Sequence, residues 1–147
     1  MEPGGWCGFV REAAVEAWPF AVAATNAYTG DHDVFAELGA TLARLERLEI
    51  DAEAADKGFG YELFAQYRES ESGERELAAR ILSFRGTDFN GLTDIFYGTL
   101  RSDQIELALA AFEAERARPE FGDGVPWIVT GHSLGGALAT EISVRYP

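Results

Sequence analysis

The sequence predicts an α/β fold built on a buried, mostly parallel sheet flanked by helices. Three observations carry this expectation. Two apolar segments, Leu77–Phe84 and Val125–Thr130, read as strands, and the helical stretch Gln104–Arg118 lies between them. Both strands are near-continuous apolar runs, the pattern of a sheet covered on both faces. The second strand passes through a glycine-bracketed turn straight into the Ala-rich segment Leu134–Tyr146, which reads as a helix.

From the N-terminus, Phe9–Ala24 reads as a helix that Pro19 should kink or end. Asn26–Asp33 is a polar break containing Gly30. Phe35, Leu38, Leu42 and Leu45 recur at spacings of three and four, one stripe of an amphipathic helix, with Asp31 or Asp33 as its cap. In Tyr61–Arg68, the residues Tyr61, Leu63, Ala65 and Tyr67 alternate with Glu62, Gln66 and Arg68, the period of a strand. The charged segment Ser70–Glu76, with Gly73, reads as a turn, so Leu77–Phe84 returns antiparallel to it. Arg85–Thr93 is a loop by composition. In Gln104–Arg118 the side chains Ile105, Ala108, Leu109 and Phe112 share one face, and Pro119 with Gly122-Asp123-Gly124 ends the helix. The organisation expected is a helical N-terminal segment over 1–58 and a partial α/β domain over 59–147.

The 147 residues carry 12 Lys and Arg against 25 Asp and Glu, a net charge of −13. Nucleic-acid binding needs a basic face, so it is not expected, and neither is a polybasic membrane anchor. A neutral, apolar substrate is compatible with this charge. The single Cys7 excludes an internal disulfide and a thiolate zinc site. No cofactor and no metal are expected. No basic segment followed by an apolar run opens the chain, so a cytoplasmic location is expected. No apolar run approaches the roughly 20 residues of a transmembrane helix.

The stretch that carries chemistry is Trp127-Ile128-Val129-Thr130-Gly131-His132-Ser133-Leu134-Gly135-Gly136-Ala137-Leu138-Ala139. Gly131-x-Ser133-x-Gly135 is the nucleophile-elbow pattern. A strand must end and a helix begin within one tight turn, which leaves the serine backbone strained at the tip. Glycines two residues to either side let strand and helix approach without a Cβ clash. Ser133 Oγ then stands beside a helix N-terminus whose dipole and free N–H groups favour developing negative charge. The Leu134 N–H is the expected oxyanion donor. An acyl-transfer site needs a second donor from another loop. Ser83-Phe84-Arg85-Gly86-Thr87-Asp88, at the end of a strand, offers the N–H and hydroxyl of Thr87.

These blocks, with Asn90-Gly91-Leu92-Thr93-Asp94-Ile95 between them, resemble the class 3 (fungal-type) lipases of the α/β-hydrolase superfamily. The resemblance covers Tyr61–Pro147. It implies the N-terminal part of an α/β-hydrolase fold and a serine carboxylic-ester hydrolase acting on acylglycerols or related lipid esters through an acyl-enzyme. By matching positions, Ser133 is the nucleophile, and Thr87 and Leu134 form the oxyanion hole. Gly131, His132 and Gly135 build the elbow. Asp94 matches a recurring acidic position to which no catalytic role is given.

A serine hydroxyl needs a base, and the base an orienting carboxylate. In this fold the order is Ser, then Asp or Glu, then His. The fourteen residues after Ser133 (147 − 133) contain Glu141 and no histidine. Glu141 lies two turns down the elbow helix, directed away from the site. His132 belongs to the elbow. His32, in Gly30-Asp31-His32-Asp33, reads as a solvated loop with a helix cap; recruitment as a base and contact with a metal are its alternatives. The expectation is therefore a lipase domain whose acid and base come from a C-terminal part beyond these residues or from a second chain. The alternatives are a non-catalytic lipase fragment that keeps the elbow only as architecture, and an esterase or phospholipase acting on other esters.

Overall fold

The structure is a computed structural model that describes residues 5–28, 37–86, 99–122 and 124–147. Its elements are α1 (Gly5–Asn26), β1 (Leu42–Leu45), α2 (Ala52–Asp56), β2 (Tyr61–Glu69), β3 (Arg75–Phe84), α3 (Thr99–Arg116), β4 (Trp127–Gly131) and α4 (Leu134–Arg145). A single 3₁₀ turn, Pro119–Phe121, comes after α3.

The four strands form one sheet in the order β1-β2-β3-β4. The sheet corrects the expectation of mostly parallel pairing: β1 with β2 and β2 with β3 are antiparallel, and only β3 with β4 is parallel. Connection length explains the difference. A turn of five residues, 70–74, joins β2 to β3 and can close only a hairpin, whereas β3 to β4 has room for α3 as a crossover.

Successive side chains of a strand face opposite sides of the sheet, and two cores result. Leu63, Leu82 and Phe84 pack with Ala108 and Phe112 of α3 and with Leu138 and Ile142 of α4. Phe64 and Ile81 pack on the other face with Val22 and Ala23 of α1 and with Leu42. The molecule is thus a mixed α/β layer structure with helices on both faces. β3 is its axis: Ile81, Leu82, Ser83 and Phe84 are all fully buried.

Two elements depart from the sequence reading. Leu42–Leu45 is a strand where the spacing predicts helix, with Leu42 opposite Gln66 and Leu45 opposite Leu63. The apolar residues of this stretch divide between the two cores, Leu42 on one and Leu45 on the other, so edge pairing with β2 overrides helical spacing. Helix α1 runs through Pro19 and on to Asn26. Its segment 7–18 is exposed throughout, while Val22 and Ala23 are buried against the sheet, so packing after Pro19 offsets the hydrogen bond that proline removes. The cap expected at Asp31 or Asp33 lies outside the described residues. Helix α2 was not expected. It is capped by Asp51, whose Oδ1 accepts the Glu53 N–H at 2.8 Å.

One buried charge fastens the layers together. Glu115 of α3 is fully buried and accepts hydrogen bonds from Tyr61 Oη at 2.8 Å, Leu48 N at 2.7 Å and Arg118 Nη1 at 2.7 Å. A buried carboxylate is tolerable only with such partners. Burial, and then the bond to Glu115, hold the Tyr61 hydroxyl well above the ordinary tyrosine range of ionisation. Among the described residues no helix is long and apolar enough to cross a membrane.

Candidate functional site

The site is built where the C-terminal ends of β3 and β4 meet the start of α4. Parallel pairing runs from Arg80 opposite Trp127 to Phe84 opposite Gly131 and delivers both strand ends to the same place. β4 stops at Gly131, α4 starts at Leu134, and only His132 and Ser133 make the turn. Ser133 has φ 57° and ψ −124°. Among the described residues it is the one non-glycine residue with positive φ. Holding a β-carbon in that region costs about 1–3 kcal/mol and persists only where the surroundings enforce it.

The surroundings are the glycines. A Cβ at Gly135 would lie 2.1 Å from the Phe84 carbonyl oxygen and 2.8 Å from its carbon. A Cβ at Gly131 would lie 2.4 Å from Gly135 C and 2.8 Å from Phe84 O. The first turn of α4 therefore rests directly on the ends of β3 and β4, and the Gly-x-Ser-x-Gly spacing is what that contact requires. The Ser133 side chain is exposed and makes no capping hydrogen bond; its carbonyl accepts from Gly136 N at 3.0 Å. Gly135 N–H is taken by His132 O at 3.0 Å. Leu134 opens the helix, and its N–H belongs to the first-turn donors that a helix leaves without an internal acceptor.

The loop after β3 starts against this turn. A Cβ at Gly86 would lie 2.8 Å from His132 O and 3.2 Å from Ser133 Cβ. The structure thus brings Gly86, Gly131, His132, Ser133, Leu134 and Gly135 together. Thr87, expected to be the second oxyanion donor, lies outside the described residues, as do His32 and the segment Asn90–Ile95. Glu141 is paired with Arg145 one turn on, at 3.0 Å, and takes no part in the site.

The residue that sequence reasoning missed is Tyr28, just beyond α1. Its hydroxyl accepts the Gly86 N–H at 3.1 Å and lies 3.1 Å from His132 Nδ1, with the two rings edge to face at 6.0 Å. Tyr28 is 58 residues from Gly86 and 104 from His132, so no local pattern announces it. His132 is exposed, and its Nδ1 is engaged by Tyr28.

Chemically, the arrangement offers an exposed hydroxyl on a strained turn, a helix N-terminus beside it, and Gly86 against it. Among the described residues no group of three or more His, Cys, Asp and Glu side chains could hold a metal ion. Comparison of the chain with protein-family models, with curated proteins and with solved structures found no match.

Proposed function

We propose that this chain carries the nucleophile half of a serine carboxylic-ester hydrolase of lipase type, acting on acylglycerols or related lipid esters. The observation that carries the reading is the backbone of Ser133, a non-glycine residue held at φ 57° where a plain strand-to-helix turn would take a glycine. In the reaction, Ser133 Oγ bonds to the ester carbonyl carbon while its proton passes to a base. The carbonyl oxygen becomes an oxyanion that the N–H groups of Leu134 and Thr87 receive. The C–O bond to the alcohol breaks, the alcohol leaves with the proton, and water then hydrolyses the acyl-enzyme.

The base comes from outside the described residues, because His132, the one histidine among them, already engages Tyr28 through Nδ1. That same contact favours the second reading, a binding module or fragment that keeps the elbow as architecture without turnover. An active-site-directed fluorophosphonate separates the two. Stoichiometric labelling of Ser133, lost in Ser133→Ala, is the hydrolase outcome. Absence of labelling on a folded chain leaves the second reading standing. Rates on emulsified long-chain triacylglycerol against soluble short-chain esters then separate lipase from esterase, and cleavage of soluble esters alone removes the word lipase.

A further inference from the structure

We infer that Tyr28 is a positioning residue for the reaction, the clasp that sets the distance between the loop after β3 and the nucleophile turn. The inference rests on the ester-hydrolase reading of Ser133. An oxyanion site assembled from two separate segments works only if their spacing is held to about half an ångström. β3 and β4 fix the strand ends, and Arg85 N–H still bonds the Gly60 carbonyl at 2.9 Å, but Gly86 lies beyond that pairing and must be held against the elbow by other means. Tyr28 supplies that hold from a third element. Its oxygen accepts the Gly86 N–H, and the same hydroxyl reaches His132 Nδ1.

The bonding pattern has two consequences. Gly86 N–H points at Tyr28 and is not available to an oxyanion, so this peptide is fixed as a support. His132, in turn, is oriented through one ring nitrogen. When the Tyr28 O–H donates to Nδ1, the ring proton resides on Nε2. The site tolerates nothing bulkier at Gly86, because a Cβ there would meet Tyr28 Oη at 2.4 Å. The His132 carbonyl oxygen, 2.8 Å from that Cβ, enforces glycine at 86 as well.

The test is Tyr28→Phe in the full chain, which keeps the ring and removes both hydrogen bonds. Three readouts are needed: the rate of Ser133 labelling by a fluorophosphonate, amide hydrogen exchange at Gly86, and the ¹⁵N shifts of the His132 ring. Loss of the clasp should slow labelling about tenfold, speed Gly86 exchange and move the His132 Nδ1 resonance, with the unfolding temperature within a few degrees of wild type. A purely structural tyrosine would lower that temperature without a separate change in labelling of the folded protein. Labelling of Tyr28→Phe at the wild-type rate overturns the inference while the hydrolase reading survives. No labelling of the folded wild type shows that the chain does not act alone, and any part for Tyr28 in a reaction of this chain falls with it. Should Tyr28→Phe fail to fold, the wild-type chain still decides: rapid exchange at Gly86, or a His132 Nδ1 resonance without a hydrogen-bond shift, refutes the clasp.

Discussion

Replacing Gly135 by alanine tests the packing that presents Ser133. The new Cβ would stand 2.1 Å from the Phe84 carbonyl oxygen, short of an ordinary 3.4 Å contact by about 1.3 Å. Its other near neighbours are Phe84 C at 2.8 Å and Arg85 C at 3.1 Å, so only backbone can move, and no rotamer relieves the overlap. Helix α4 must lift off the end of β3. Overpacking of this kind costs about 3 kcal/mol, the upper end of its usual range. Alanine recovers about 1 kcal/mol of helix propensity over glycine. The net loss is about 2 kcal/mol, or roughly 6–8 °C in unfolding temperature for a chain of this length. Gly136→Ala is the control: its Cβ would approach nothing closer than Gly131 O at 3.1 Å, and the propensity gain should leave it near wild type. Thermal unfolding monitored by circular dichroism reads both. Gly135→Ala melting at or above wild type, or Gly136→Ala falling as far, refutes the close approach of α4 to β3.

Three further outcomes are expected from the same structure. Ser133→Gly removes the β-carbon held at φ 57° and should stabilise the fold by about 1 kcal/mol while abolishing labelling; a lower urea midpoint would show that the turn is unstrained. Glu115→Ala strips the partner from Tyr61, Arg118 and the Leu48 amide and should cost about 3 kcal/mol in urea unfolding, with Glu115→Gln milder; a loss under about 1 kcal/mol would show that the cluster is not coupled. Tyr61 ionises later in the folded chain than its ordinary value of 10.0, so the folded state holds that proton more tightly. Its contribution is complete below pH 10 and is lost as pH rises further, so stability should fall on the alkaline side, and Tyr61→Phe should flatten that fall.

The elements from β2 onward were legible because their signals are local. Alternation marks β2, the charged turn with Gly73 sets the hairpin, and Pro119 marks the close of α3. Sheet direction was less legible, since it depends on which connections are long enough for a crossover. Leu42–Leu45 misled because leucines three apart fit one face of a helix and equally well feed two cores from a strand. At the site, Gly131, Ser133 and Gly135 declare themselves because the turn's steric demands act over five residues. Tyr28 does not, because its partners are 58 and 104 residues away and only tertiary packing unites them.

The central claim is that Ser133 is presented as a nucleophile. The most direct measurement is fluorophosphonate labelling of the purified, folded chain, with the modified residue located by mass spectrometry. Where a base is supplied, one adduct per chain is expected, on Ser133 and absent from Ser133→Ala. An adduct at another residue, or labelling that persists in Ser133→Ala, contradicts that claim.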